Sequence, residues 1–284
     1  MRATVTLAMR CLASFPPADV PSFTDAQAGQ VMRNSRSANL LTALAGWLLC
    51  ISGVHADPAP RGEPAVAAHD TWAFKLTPSY YVTSGLADAI DLNLRGSLGA
   101  HAFWLAHYRR AAEFEQTRIG YEYTAHLPVG QLIPSLQLAS HGFAGASLNA
   151  QIGDSVYALL GLGRTNLRDY YNLNFDPNDS LVVGLGTRLL PKSNVSLYTV
   201  RDNRLATGQK VIHLVWRYTP DDQQRWTVDL SARHGRPSAD AEAVSGHALS
   251  LTYDYRNVFV RLARDRRVNF TDADQTRMSI GLRF

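Results

Sequence analysis

Apolar and polar residues alternate with a period of two along most of the chain from Thr71 to Phe284. In residues 225–233 (RWTVDLSAR), every second side chain from Trp226 onward is apolar and the others are polar or charged. Residues 90–98, 247–256 and 277–284 follow the same rule. A β-strand points successive side chains to opposite faces, so this period predicts strands with one apolar and one polar face.

The period predicts an all-β fold of about fourteen antiparallel strands, with twelve as the alternative. No internal segment carries the pattern of an amphipathic helix. An even number would place both ends of the sheet on the same side of a membrane. The predicted strands are residues 71–84, 88–98, 101–110, 114–125, 131–140, 144–152, 154–164, 180–190, 194–201, 209–218, 224–234, 245–255, 257–265 and 275–284.

The connections between these strands alternate in length, which argues against a soluble β-sandwich. The turns after even-numbered strands are short, whereas several after odd-numbered strands are long and polar. Short turns on one side and long loops on the other are typical of transmembrane barrels. The long connections are residues 165–179, 202–208, 234–244 and 266–274.

Aromatic residues cluster at the strand ends beside the short turns. Such a cluster predicts a girdle at one membrane interface, which a soluble sandwich has no reason to form. Its members are Trp72, Tyr121, Tyr123, Trp216, Tyr218, Trp226, Tyr253, Tyr255 and Phe284.

The final strand ends on Phe284, with apolar residues at every second position before it. It resembles the C-terminal strand of Gram-negative outer-membrane β-barrel proteins, whose terminal Phe is read by the barrel-assembly machinery. The resemblance covers an export signal, this strand and the general pattern, and reaches no single functional family. It implies a transmembrane antiparallel up-and-down barrel in outer-membrane lipid, with the assembly machinery as a partner and Phe284 as assembly signal. In lipid only a closed sheet is tolerated, because unpaired backbone groups cost several kcal/mol.

A signal peptide is predicted at residues 32–56. Arg33 and Arg36 precede an apolar run from Leu40 to Val54, and cleavage is expected after Ala56. An uncleaved anchor helix and a lipoprotein modified at Cys50 are less favoured. We interpret residues 1–31 as an over-long start or extended n-region, residues 57–70 as a flexible periplasmic lead-in, and residues 71–284 as the barrel.

The composition of the chain after Ala56 excludes cysteine-based sites and argues against nucleic-acid binding. Cys11 and Cys50 are the only cysteines, so the exported chain has neither a disulfide framework nor a thiolate metal site. Four of the 28 Lys and Arg and two of the 24 Asp and Glu precede Asp57. The remaining net charge of +2 gives no reason to expect nucleic-acid binding.

If the apolar face meets lipid, the charged side chains on the other face enclose the interior. Basic residues outnumber acidic ones there, which predicts a porin-like channel for small, anionic solutes. Arginines in ion-pair ladders that fill a closed lumen are the alternative. The predicted inward residues are Lys75, Arg95, Arg118, Arg188, Arg217, Arg225, Arg233, Arg256, Arg261, Arg277 and Arg283, with Asp91, Glu122, Asp229, Asp254 and Asp265.

The longest loop, residues 165–179 (TNLRDYYNLNFDPND), is the best candidate for gating. Tyr170, Tyr171 and Phe175 could fold it over or into the mouth. Asp176, Asn178 and Asp179 carry oxygens of the kind that calcium prefers, but a surface turn around Pro177 is the favoured interpretation. No metal or cofactor is expected.

A lipid-active hydrolase and a structural or adhesive barrel are the competing functions. Ser140 and His141 are the best catalytic candidates, with Ser147 across the hairpin. They do not match the H-x-S-N-G-like arrangement of outer-membrane phospholipases and have no acid nearby, so a non-enzymatic barrel is favoured. His101, His107 and His213 are interpreted as satisfied polar positions. A monomer is favoured, with no nucleic-acid partner.

Overall fold

The structure, a computed structural model, describes residues 71–111 and 113–284. The predictions for the extension, signal peptide and lead-in before residue 71 lie outside this part of the chain. Within it, no helix is long and apolar enough to cross a membrane. The helical elements described are two short 3-10 turns, Ser140–Gly142 and Val268–Phe270.

Antiparallel strands joined to their neighbours in sequence make up nearly all of the described chain. β4 and β5 both pair with β6 and form two parts of one strand position, so the ring has the fourteen predicted positions rather than twelve. The strands are β1 Ala73–Thr83, β2 Ala89–Leu98, β3 His101–Arg110, β4 Phe114–Tyr123, β5 Ala125–Leu127, β6 Gly130–Ala139, β7 Phe143–Gly153, β8 Val156–Thr165, β9 Ser180–Thr187, β10 Ser193–Asp202, β11 Lys210–Asp221, β12 Gln224–Gly235, β13 Val244–Tyr255, β14 Val258–Asp265 and β15 Gln275–Arg283.

The sheet closes where the last strand pairs with the first. β15 lies antiparallel to β1, and the Ser79 and Ser279 hydroxyls are 2.8 Å apart across this seam. The Phe74 amide donates to the Phe284 carbonyl at 2.7 Å, and the Phe284 amide donates to the Phe74 carbonyl at 3.0 Å. The terminal residue therefore completes the seam, and the barrel has no open edge there.

The two faces of the strands are inverted relative to a soluble protein. Leu92, Leu230 and Ile280 point outward and are largely exposed, whereas Asn93 and Gln275 point inward and are buried. A surface of exposed leucine, isoleucine and valine around a polar interior is stable only where lipid replaces water outside. The predicted transmembrane barrel is confirmed.

The predicted aromatic residues line part of the short-turn end, from β11 through the seam to β4. Phe103 packs against Trp72 at 6.2 Å and against Tyr121 at 4.9 Å between ring centroids. Trp226 packs against Tyr253 at 4.3 Å on another part of the ring. Aromatic rings at one height mark the level where hydrocarbon meets the headgroups.

Two neighbouring residues of β12 test the assignment of the faces. In a background with Cys11 and Cys50 replaced by serine, we expect Ser231→Cys to react with a water-soluble maleimide in bilayers. Leu230→Cys should resist that reagent, and a fluorophore at this site should be quenched by lipid-attached quenchers. The reverse labelling pattern would show that the register of β12 is wrong by one residue.

Candidate functional site

The loop between β8 and β9, residues 166–179, folds into the barrel. Leu173 and Phe175 are only 4% and 2% exposed, although they belong to a loop. The Arg277 guanidinium of β15 donates to the Leu173 carbonyl at 3.1 Å, and the Arg233 guanidinium of β12 lies 5.8 Å from the Phe175 ring centre. The loop is therefore held against the wall across the ring from its own strands.

Tyr171 anchors the loop to the wall formed by β3, β4 and β15. Its ring stacks on Tyr108 at 4.4 Å between centroids, and its hydroxyl accepts from Arg110 at 3.1 Å and from Gln275 at 3.3 Å. The Tyr171 amide donates to the side chain of Gln116 at 3.1 Å. Backbone and side chain are thus fixed together.

Asp176 anchors the loop to β11 through His213. Nε2 of His213 lies 3.0 Å from Asp176, and Nδ1 lies 3.1 Å from Asp229 of β12. An ionised carboxylate only accepts hydrogen bonds, so with both carboxylates ionised both ring nitrogens donate and the imidazole is doubly protonated. The ring also stacks on Tyr198 at 4.8 Å. His213 therefore bridges loop and wall.

The loop is also fastened where it leaves and rejoins its strands. Tyr170 stacks on Phe143 of β7 at 4.3 Å. Asp179 accepts from the Thr165 hydroxyl at 2.5 Å and pairs with Arg204 at 3.0 Å. Anchors distributed around the ring indicate a constriction held in one position.

A cavity of about 210 Å³ remains between the loop and the wall from β3 to β10. Hydroxyl and amide groups supply most of the polar side chains that line it, with acidic groups at Glu122 and Asp176 and rings at its sides. These linings suit a polar solute that exchanges water hydrogen bonds for protein ones. The hydroxyl and amide residues are Ser135, Gln137, Ser147, Asn149, Thr165, Asn172, Asn174, Asn178, Ser180 and Tyr198.

Aromatic side chains of the interior lie flat against glycines on the adjacent strand. A Cβ at Gly120 would lie 2.0 Å from the Trp104 ring, and one at Gly281 would lie 1.9 Å from Phe259. In both pairs the two residues are direct cross-strand partners. Gly186 with Tyr157 repeats the arrangement. Each glycine makes room for a ring beside the wall.

Interior charges in the half nearer the long loops have direct partners. Arg118 pairs with Asp91, and Arg233 pairs with Asp265 at 3.0 Å. Together with the His213 bridge and the contact of Arg277 with the loop, these pairs place a partner beside each of these charges. Partly paired charges would be costly in a confined space.

Basic side chains dominate the half nearer the short turns. Arg95 pairs with Glu122 at 2.8 Å, and Arg225 and Arg283 share Asp254. Arg188 lies over the Tyr157 ring at 4.6 Å. On the inward face of the described strands and their immediate ends, this half has Glu122 and Asp254 as acids, and its basic residues are Lys75, Arg95, Arg188, Arg217, Arg225, Arg261 and Arg283.

Arg256 does not occupy the predicted interior position. It lies in the turn between β13 and β14, where its backbone φ of 51° ends the strand alternation. Its guanidinium donates to Gln223 at 3.0 Å, in the adjacent short turn. Its side chain therefore lies at the rim, outside the interior.

The weak catalytic candidates are not assembled into a catalytic pair. The Ser140 hydroxyl accepts from the Thr117 amide at 3.1 Å, and within the described chain no hydrogen bond joins it to His141. The Ser147 hydroxyl lies 2.7 Å from that of Ser135. No base is therefore placed to activate Ser140.

Two acidic residues of the loop, Asp176 and Asp179, are engaged with protein partners. Asp176 contacts His213, and Asp179 contacts Thr165 and Arg204. In the part of the chain that the structure describes, no cluster of three His, Cys, Asp or Glu side chains could hold a metal ion.

The role of His213 was missed because its partners come from two distant segments. On the outward face, by contrast, the ring of His101 contacts the Tyr121 hydroxyl at 2.8 Å, and that of His107 contacts Thr117 at 3.0 Å. From the sequence alone, the pairing of strands β11 and β12 is not known residue by residue, so a histidine on a polar strand face does not indicate a bridge to an aspartate.

Removing the loop-side partner of His213 should loosen the constriction. A hydrogen bond to a charged group contributes about 1.5–3 kcal/mol, so Asp176→Ala should accelerate amide exchange of residues 172–178 roughly tenfold or more. Hydrogen exchange with mass spectrometry of the lipid-embedded protein measures this. The matched variant Asp229→Ala removes only the wall-side carboxylate and should change loop exchange less. Equal exchange in wild type and Asp176→Ala would contradict the anchor.

The packing of the Trp104 ring against Gly120 predicts that the effect of a larger side chain at position 120 depends on this ring. Gly120→Val places a side chain where the Trp104 ring lies and should destabilise the barrel by about 1–3 kcal/mol. In the Trp104→Ala background, where the clashing ring is gone, Gly120→Val should cost less stability than it does in wild type. Urea unfolding in bilayers, followed by tryptophan fluorescence and electrophoretic mobility, gives the stability of each variant. An equal cost of Gly120→Val in both backgrounds would refute the packing.

Neither a protein-family model nor a curated protein matches the sequence. Among solved structures, the KdgM porin aligns at 10% identity and a TM-score of 0.42, over 73% of this chain and 98% of that chain. The Acinetobacter baumannii outer membrane protein Omp33 aligns at 9% identity and a TM-score of 0.47, over 75% and 98%. The NanC porin aligns at 9% identity and a TM-score of 0.41, over 72% and 98%.

These similarities are too distant to assign a ligand, and the architecture stands on the barrel itself. A closed ring of antiparallel strands, an apolar outer surface, an aromatic girdle, and short turns opposite long loops together define the outer-membrane type. The chain is a transmembrane β-barrel of the outer-membrane type whose interior is narrowed by its own loop.

Proposed function

We propose that the barrel is a passive, porin-like channel for small anionic solutes. The single observation that carries this proposal is the surplus of basic side chains on the interior wall between the constriction and the short turns. The positive and negative charges around the constriction are balanced. The surplus of basic side chains is therefore a separate feature of the half nearer the short turns.

The electrostatic consequence follows from geometry. A ring of fourteen strand positions is wider than the eight-stranded kind that side chains fill. Water in a narrow passage with low-dielectric walls focuses the field of the wall charges, which raises the local concentration of counter-ions. Arg95, Arg225 and Arg283 each contact a carboxylate, but two carboxylates do not balance seven cations.

The constriction would select by size and hydrogen bonding. Amides and hydroxyls of the 210 Å³ cavity can replace part of a solute's hydration shell. The residues proposed to line the pathway are Arg95, Arg118, Arg188, Arg217, Arg225, Asp229, Arg233, Asp254, Arg261 and Arg277.

One similar structure shows the KdgM porin in complex with disordered oligogalacturonate. That ligand belongs to KdgM, and the proposal here rests on the charges of this chain. The monomeric state and the reading of Phe284 by the assembly machinery stay predictions.

Reversal potentials in planar bilayers test the proposal. Under a potassium chloride gradient, wild-type protein should conduct with chloride preferred over potassium. The triple variant Lys75→Gln/Arg188→Gln/Arg217→Gln should lower the permeability ratio by roughly two-fold or more, because it removes three interior cations.

The matched control is Lys192→Gln, which removes one cation from an exposed short turn and should leave the ratio unchanged. Absence of conductance above the lipid background would contradict the channel itself. A conducting protein that prefers potassium would contradict only its anion preference.

A further inference from the structure

Three outward-facing basic side chains form a row at the long-loop end of the barrel. Arg201 ends the outward face of β10, Lys210 begins that of β11, and His234 ends that of β12. Arg201 is the direct cross-strand partner of Lys210, and Lys210 is the direct partner of His234. We call these three residues the basic row.

Like charges directly opposite each other destabilise a sheet. Yet Arg201 and Lys210 are both exposed, and within the described chain neither forms an ion pair with an acidic side chain. His234 has a hydroxyl partner, with its ring 2.9 Å from Ser245. The row thus carries repulsion that no protein group compensates.

Two other basic residues at the same end are compensated by one carboxylate. Arg264 pairs with Asp274 at 3.2 Å, and Arg266 pairs with the same carboxylate. Hydrogen bonds from Arg266 hold the pKa of Asp274 below its usual range. On the other side of the barrel, outward-facing Arg109 lies directly opposite Glu115. The basic row departs from this balance.

The row stands directly above the apolar band. Ile212 and Leu214 follow Lys210 on the outward face of β11, and Leu230 precedes His234 on that of β12. Side chains at the upper limit of this band lie at the level of the lipid headgroups. Because the basic row lies at the level of the headgroups, the anionic groups beside it are those of lipids.

We infer that the basic row binds the phosphate of a phosphorylated lipid headgroup in the leaflet beside the long loops. A guanidinium donates two parallel hydrogen bonds to a phosphate, and the ammonium group adds a compact charge. One phosphate between Arg201 and Lys210 replaces their repulsion by two attractions. The ring of His234 borders the same position and supplies a polar neighbour.

Native mass spectrometry of the purified barrel tests the inference, with phosphatidic acid as the phosphomonoester probe and phosphatidylcholine as the reference lipid. Wild-type protein should retain phosphatidic acid in preference to phosphatidylcholine. Arg201→Thr/Lys210→Thr should retain it roughly tenfold less or lower still, since each surface cation contributes about five-fold to binding an anionic lipid surface. Threonine is well accommodated in strands, so the fold is retained.

Arg109→Thr is the matched control, because it removes an outward arginine at the same end that already faces a carboxylate. Its retention of phosphatidic acid should equal that of wild type. Equal retention by the double variant, or an equal loss in Arg109→Thr, would overturn the inference.

Thermal unfolding supplies a second readout, in which the shift of the unfolding temperature should have opposite signs in two kinds of bilayer. In phosphatidylcholine bilayers Arg201→Thr should unfold at the same or a higher temperature than wild type, because the like-charge pair is gone. In bilayers that contain phosphatidic acid it should unfold at a lower temperature than wild type. The same destabilisation in both bilayers, or full protection of wild type by inorganic phosphate without phosphatidic acid, would overturn a lipid site.

Discussion

The structure depends on one constraint, which is that hydrocarbon offers no hydrogen-bond partner to the backbone. Each N–H and C=O group at membrane depth must therefore be paired within the protein. The seam between β1 and β15 satisfies this condition for the two strands that would otherwise be edges. Closure in turn fixes the faces, since alternate residues must meet lipid on one side and an enclosed space on the other.

The enclosed space creates a second requirement. Fourteen strand positions surround more volume than wall side chains fill, and the loop of residues 166–179 occupies part of it. A loop in that position brings backbone groups away from bulk water, so they need partners from the wall. Gln116 and Arg277 supply such partners to backbone groups, and His213 holds the side chain of Asp176. In the half of the interior nearer the short turns there is no loop to hold, and basic side chains outnumber acidic ones on the wall.

Much of the fold could be predicted because the period of two reports directly on which face meets lipid. The strand positions, their number and the aromatic girdle all follow from local residue type. The path of the loop could not be predicted, since it depends on partners far away in sequence, such as Tyr171 with Tyr108. Glycine–aromatic pairs such as Gly120 with Trp104 require the exact cross-strand register. Arg256 was wrongly predicted to face the interior because the alternation of apolar and polar residues continues into the turn. The backbone there has left the extended conformation, so the pattern no longer reports on the face.

Closure of the ring is tested most directly by a covalent link across the seam. The hydroxyls of Ser79 and Ser279 are 2.8 Å apart on directly paired residues, which is close enough for cysteines at both positions to form a disulfide. In bilayers under mild oxidation, Ser79→Cys/Ser279→Cys should form an intramolecular disulfide that joins the two ends of the barrel and slows migration of the unfolded chain. Free thiols at both positions in the lipid-embedded protein would contradict a closed barrel.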